Sequence, residues 1–156
     1  FSTKRACPVC SRSFPEPDPR MFSYNSKHGW CPDCFGTGLT LPGFDAEQSG
    51  EETAWNAWFE GEATPCPTCH GARLNATALA VTWQGRSIAD LAKGSVGHAR
   101  RLFDSLQLAG RDEQIARDVL AEIRSRLAFL EEVGLSYLAL DRAAPTLSGG
   151  EAQRIR

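Results

Sequence analysis

Cys31-Pro32-Asp33-Cys34-Phe35-Gly36-Thr37-Gly38 and, further along, Cys66-Pro67-Thr68-Cys69-His70-Gly71 decide how the first half of this chain folds. Two residues between cysteines would close a tight, strained disulfide loop. The same spacing lets two thiolates converge on one tetrahedral Zn²⁺. The glycines behind each second cysteine let the backbone fold back without a clashing Cβ. Each unit is half of a four-thiolate site and needs a second pair. A third pair, Cys7-Pro8-Val9-Cys10, lies 20 residues before Cys31, and 31 residues separate Cys34 from Cys66. Three pairs make one and a half sites. Either Cys7/Cys10 joins Cys31/Cys34, or Cys31/Cys34 joins Cys66/Cys69. The shared glycine context favours the second pairing, and Cys7/Cys10 would then take ligands from chain elsewhere or from His28 or His70. Buried or redox-active thiols are the alternative, and a single pair would leave it open. Three pairs in this setting favour zinc. Four thiolates fill the coordination sphere, so the expected role is structural rather than catalytic.

Working outward, residues 1–40 are rich in Pro and Gly and read as loops and turns. Residues 41–64 are acidic, with Trp55, Trp58 and Phe59 in the middle, and fit one short helix between loops. Those aromatic rings suit stacking on bases, or packing of that helix against the knuckles. Residues 1–75 show little periodic apolar pattern, so bound zinc would supply folding energy there. Residues 78–83 read as a strand closed by Gln84-Gly85.

From Ser87 the pattern turns helical. Ser87 fits the N-cap of a short helix through Leu91. Ser95 fits another, with Val96, Ala99, Leu102, Phe103 and Leu106 on one face. The clearest helix is expected over about 112–133, where Ile115, Val119, Ile123, Leu127 and Leu130 recur at three- and four-residue steps. Gly134 stands where a left-handed C-terminal residue is favoured. The expected fold class is α+β: a zinc-stabilised, loop-rich region over 1–75, with a short segment 39–65 between the knuckles, then a mainly helical subdomain over 76–156.

Composition narrows the setting. Of 156 residues, 42% are hydrophobic and 23% charged, which is ordinary for a globular protein. The net charge of −2 gives no bulk attraction to nucleic acid. Residues 1–36 carry five Lys/Arg against three Asp/Glu, and 37–75 carry one against six, a contrast that solvated surface accounts for. No run reaches the roughly 18–20 apolar residues of a membrane span. Neither an initiating Met nor a secretory signal is visible, so the chain reads as cut from a longer one and as native to a reducing compartment.

The chain closes on Leu147-Ser148-Gly149-Gly150-Glu151-Ala152-Gln153-Arg154-Ile155-Arg156. Ser148-x-x-Glu151 is a capping box: the Ser148 side chain accepts from the Glu151 amide while Glu151 reaches back. A helix starting there presents free N–H groups to an anion, and Gly149 and Gly150 leave its approach open. A capping box alone is common. The full LSGGEAQR string resembles the signature motif of ABC-type ATPases. That resemblance implies contacts from Ser148, Gly149 and Gly150, supported by Gln153, to the γ-phosphate of ATP held by another module's P-loop. The chain contains no G-x-x-x-x-G-K-[ST] loop and no Walker B strand, so by itself it is expected not to hydrolyse ATP. No acid/base pair or nucleophilic triad stands out.

Zinc knuckles followed by an ABC signature form a narrow combination, and together they resemble the UvrA family of bacterial nucleotide excision repair. Cys7-Pro-Val-Cys10, Pro19-Arg20-Met21-Phe22-Ser23-Tyr24-Asn25-Ser26 and Gly29-Trp30-Cys31 through Gly38 look like that family's first zinc region. Pro65 through Asn75 looks like the paired knuckle. Gly134-Leu135-Ser136-Tyr137-Leu138 and Thr146 through Arg156 look like the approach to the first signature. The resemblance implies a DNA-damage-recognition ATPase, structural Zn²⁺, a shared ATP site, a cytoplasmic homodimer, binding to damaged double-stranded DNA and handover to UvrB. It also implies an insertion domain of roughly a hundred residues between the knuckles. Only residues 39–65 stand there in this chain. Two other readings compete: the cysteine-rich domain of J-domain co-chaperones, which uses four regular repeats, and a free-standing zinc module that binds DNA or protein without any ATPase.

Overall fold

The computed structural model describes residues 5–13, 16, 18–47 and 64–155. The segment expected to carry a short helix with Trp55, Trp58 and Phe59 lies outside these residues. The described chain is mixed α+β and forms two compact units, one from 5–47 with 64–78 and one from 79–155.

The first unit has almost no regular structure. A 3₁₀ turn over Pro19–Phe22 is capped by Asp18, whose carboxylate accepts the Arg20 N–H. Strands β1 (Leu39–Thr40) and β2 (Thr64–Pro65) pair antiparallel, Leu39 opposite Pro65. A single antiparallel bridge joins Trp30 to Leu74. The buried centre is four cysteine side chains with Ala72 packed against them. Trp30, Phe35 and Phe44 follow one another with ring centroids 6.1 and 6.4 Å apart. Cysteine sulfur thus occupies the place that aliphatic side chains hold in an ordinary core.

Helix α1 (Ala76–Ala80) replaces the first half of the strand expected over 78–83. Asn75 caps it, its side-chain oxygen accepting the Ala78 N–H at 2.9 Å. The alanines that follow are strong helix formers, and the cap tips them into a turn. Strand β3 starts only at Thr82 and pairs with β4 (Arg86–Ser87) around Gln84 and Gly85, both at positive φ.

The second unit is built on two antiparallel helices, α3 (Val96–Ser105) and α4 (Gly110–Glu132). The short helix α2 (Ile88–Ala92) precedes them with a full Ser87–Asp90 capping box. Ser95 caps α3 through the His98 N–H. Val96, Ala99 and Leu127 are buried together, with Phe103, Ile123 and Leu130 against them. Arg124 donates to the carbonyls of Phe103 and Leu106, closing the C-terminal end of α3, and Arg100 pairs with Glu131. α4 ends in a Schellman motif. Gly134, at φ +79°, donates to Glu131 and Leu135 donates to Leu130, both at 2.9 Å.

The apolar stripe of α4 is only half used. Ile115 and Val119 are 66% and 61% exposed. The reason is length: ten residues of α3 reach about 15 Å, against about 35 Å for the 23 of α4. The first turns of α4 therefore run past its partner. The segment after α4, with Leu135 and Leu138 buried, returns to the start of α3. There the Leu138 and Ser136 carbonyls accept from Val96 and Gly97 at 2.8 and 2.9 Å. Those amides have no partner within their own helix, so the loop completes the cap that Ser95 begins. Helix α5 (Gly149–Ile155) closes the unit after a 3₁₀ turn over Ala144–Thr146. No helix among the described residues is long and apolar enough to cross a membrane.

Candidate metal centre and signature loop

The two knuckles match residue by residue at an offset of 35. The Cys31 carbonyl accepts from Phe35 and the Cys66 carbonyl from His70, each at 2.8 Å. Phe35 and His70 are left-handed, at φ +49° and +51°, and so are Gly36 and Gly71 behind them. The correspondence is closed by reciprocal bonds between the units: Cys31 N–H donates to the Arg73 carbonyl and Cys66 N–H to the Gly38 carbonyl, both at 2.9 Å. Asp33 and Thr68, also equivalent, hydrogen-bond to each other. An approximate twofold axis therefore runs between the knuckles.

That symmetry brings four sulfurs to one point. Sγ of Cys31 lies 4.0 Å from that of Cys66, and Cys34 lies 3.7 Å from Cys69. All four sulfurs fall within 4.8 Å of one another and all four residues are buried. A tetrahedral Zn–S₄ centre with bonds of about 2.3 Å has sulfurs about 3.8 Å apart. The spacing fits that centre and is nearly twice a disulfide bond. Burial pushes the Cys34 thiol well up despite the N–H of Gly38 on its sulfur, and burial also pushes Cys31 up. Burial acts upward on Cys66 too, but the amides of Cys69 and Thr68 outweigh it and the net direction is down. Four thiols crowded out of water gain little by ionising alone; a shared cation reverses that balance. The chain could thus hold one metal ion at Cys31, Cys34, Cys66 and Cys69.

Cys7 and Cys10 lie outside this group. Their loop makes the first half of the same turn, with Ser11 donating to the Cys7 carbonyl at 2.9 Å and lying at φ +56°. Arg12 stands where the knuckles have Gly36 and Gly71. Cys10 is exposed and Cys7 partly so, and the amides of Cys10 and Val9 lower the Cys7 pKa. His28 and His70 are exposed and belong to no metal-binding group among the described residues.

At the other end of the chain, Ser148 and Glu151 make both bonds of the capping box. Ser148 Oγ accepts the Glu151 N–H at 3.2 Å, and Glu151 Oε2 accepts the Ser148 N–H at 2.7 Å. Gly149 and Gly150 are exposed, with nothing within 4 Å of where a Cβ would stand. Gln153 is exposed as well. Glu151 itself is only 6% exposed. Its other oxygen accepts the Tyr137 hydroxyl at 2.8 Å, and Arg142 Nη1 approaches that oxygen to 3.6 Å.

No family model matches this chain. It is 33% identical to the UvrABC system protein A of Halalkalibacterium halodurans over 251 residues, covering all of this chain and 26% of that protein. The chain is homologous to part of UvrA. A second UvrA, from Methanothermobacter thermautotrophicus, is 58% identical over 91 residues, 58% of this chain and 10% of that protein. The crystal structure of UvrA2 from Deinococcus radiodurans superposes with a TM-score of 0.62 at 36% identity, over 88% of this chain and 14% of that one. The chain spans about a quarter of the UvrA proteins it matches from end to end. The matched segment of the first UvrA is longer than the 156 residues here by about 95 positions.

Within this UvrA-homologous chain, sequence reasoning passed over three side chains that shape the two sites. Arg73 is buried in the left-handed region at φ +67°, its guanidinium 4.1 Å from the centre of the Tyr24 ring and its Nε donating to the Gly36 carbonyl at 2.7 Å. Aligning the knuckles exposes it, because Arg73 falls where the first knuckle has Gly38. Tyr137 and Arg142 carried no such signal. They reach Glu151 only through the fold.

Proposed function

We propose that this chain is the zinc-bearing signature region of a UvrA-type DNA-damage-recognition ATPase. In this reading Cys31, Cys34, Cys66 and Cys69 hold one structural Zn²⁺. The ion replaces the hydrophobic core that the first unit lacks, fixing the two knuckles against each other without an open coordination position for chemistry. Cys7 and Cys10 form a half-site that takes its remaining ligands from elsewhere in the parent protein. Ser148, Gly149 and Gly150, with Gln153 in support, face the γ-phosphate of ATP bound to another module's P-loop. The parent protein acts in the cytoplasm as a homodimer on damaged double-stranded DNA and passes the lesion to UvrB.

One observation carries the reading: a chain homologous to UvrA over its whole length holds both a buried four-sulfur cluster of tetrahedral spacing and a fully formed Ser148–Glu151 cap behind two unobstructed glycines. The excess of about 95 positions in the matched UvrA fits an insertion domain that this chain has in shortened form over 39–65. The test is ATP hydrolysis by the intact protein. Ser148→Ala should lower turnover about tenfold or more, the scale of losing one hydrogen bond to a charged phosphate in the transition state. Unchanged turnover would sink the reading.

A further inference from the structure

Glu151 is a carboxylate with almost no access to water, and it is fully engaged. Oε2 holds the Ser148 N–H; Oε1 receives the Tyr137 hydroxyl and faces Arg142. Ser148 in turn accepts from the Glu151 N–H, which leaves its own hydroxyl hydrogen to donate outward. Tyr137 and Arg142 both come from the loop that follows α4, not from the signature helix. Arg142 is itself anchored to Thr146, by Nε to the side chain at 3.1 Å and by Nη2 to the carbonyl at 2.6 Å. Arg154 fastens the other side, donating to the carbonyls of Gly150 and Val133. The Glu151 carboxylate that bonds Ser148 is therefore itself held by side chains from outside the signature helix.

We propose that Tyr137 and Arg142 are positioning residues for the shared nucleotide site, acting through Glu151 to hold Ser148 in the orientation that meets the phosphate. This inference rests on the signature reading given above. Without Tyr137 and Arg142, the Glu151 carboxylate has a half-empty shell and turns toward water. Ser148 N–H then loses its partner, and the cap that orients the hydroxyl keeps only one of its two bonds. ATP binding in the ground state belongs to the P-loop of another module. The loss therefore falls on the step at which the signature closes on the phosphate.

The experiment is steady-state ATP hydrolysis by the intact protein that carries this chain, comparing Tyr137→Phe, Arg142→Lys, Glu151→Ala, Ser148→Ala and the double variant Tyr137→Phe/Glu151→Ala. Tyr137→Phe should lower kcat about tenfold with KM for ATP within about twofold. The double variant should be no slower than Glu151→Ala alone, because Tyr137 has nothing left to act through. Arg142→Lys, which keeps the charge but not the fork that grips Thr146, should fall between wild type and Tyr137→Phe. Wild-type kcat in Tyr137→Phe, or losses that multiply in the double variant, overturns the inference while Ser148→Ala still upholds the signature reading. Wild-type turnover in Ser148→Ala overturns both. Thermal unfolding of each variant separates a lost fold from a misdirected serine, since only the latter keeps a cooperative transition and leaves KM in place.

Discussion

Arg73 occupies in the second knuckle the place that Gly38 occupies in the first. Both are left-handed, at φ +67° and +79°, and each offers its carbonyl to the first cysteine of the opposite knuckle at 2.9 Å. The carbonyl can point that way only from the left-handed region, which a glycine reaches freely and an arginine at a cost of roughly 1–2 kcal/mol. Arg73 offsets that cost with its side chain, stacked on Tyr24 and bonded to Gly36. A side chain at position 38 has no such room, since its Cβ would press on Arg73 Cγ at 2.9 Å. One half of the site is thus open for the other half's arginine.

This arrangement orders two substitutions. Arg73→Gly loses the stacking and the bond but relieves the backbone. Arg73→Ala loses both and keeps the strain. In urea melts of the zinc-loaded protein, Arg73→Ala should be the less stable of the two by about 1 kcal/mol. An inverted order would show that the backbone at 73 relaxes when the side chain is gone.

Gly36 and Gly71 are equivalent in the repeat but not in tolerance. At Gly36 a Cβ would collide with the Tyr24 carbonyl in addition to the strain of φ +85°. At Gly71, φ +82°, no atom lies within 4 Å. Gly71→Ala should cost about 1–2 kcal/mol. Gly36→Ala should cost more than about 3 kcal/mol and weaken metal retention. Equal midpoints in a denaturant titration of the two variants would contradict the packing described here.

Metal analysis separates the cysteine pairs. Cys66→Ser should remove one equivalent of zinc, and Cys7→Ser should leave that equivalent in place. Chelation should unfold the first unit, read by Trp30 emission, because little apolar burial remains there once the thiolates lose their ion. Zinc that survives Cys66→Ser but leaves with Cys7→Ser would reassign the site to the other pairing.

Acid should loosen the signature cap late. Glu151 is pulled from an ordinary 4.5 down to about 2, first by the Ser148 N–H, then by the Tyr137 hydroxyl and the Ser148 side chain. A depressed carboxylate stabilises the folded state fully above its ordinary pKa, and that contribution is lost as pH falls toward the depressed one. The charged and titratable groups facing it are Arg142 and Tyr137, and the bond to Glu151 raises the tyrosine above its ordinary value, so it stays a donor throughout. Hydrogen exchange at the Ser148 amide should therefore stay protected from pH 5 to below 4 and fail as pH nears 2. In Tyr137→Phe the failure should come at higher pH. The same onset in both proteins would mean that Tyr137 does not hold the carboxylate.

Local chemistry was legible in the residues alone. The caps at Ser87, Ser95 and Ser148 form because a hydroxyl two or three residues from an unpaired N–H finds it whatever the rest of the chain does. Gly134 ends α4 for the same kind of reason. The Cys-x-x-Cys knuckles are likewise written into five or six consecutive residues. Less local readings fared less well. The strand expected over 78–83 begins only at Thr82, four residues later, because the cap supplied by Asn75 outweighs the preference of the residues that follow. Ile115 and Val119 share the helical spacing of the buried Leu127 yet stay exposed, because periodicity reports only that a face is apolar, and α3 is too short to cover it.

By itself, then, the sequence determined the knuckle turns, the helix starts and the capping box, since each depends on bonds between residues a few positions apart. Tertiary structure decided which four sulfurs meet, why an arginine sits left-handed beside them, and which side chains steady Ser148. Those relations join residues 9 to 49 positions apart. Chain closure over such distances is settled by packing and shared hydrogen bonds, and no local pattern records it.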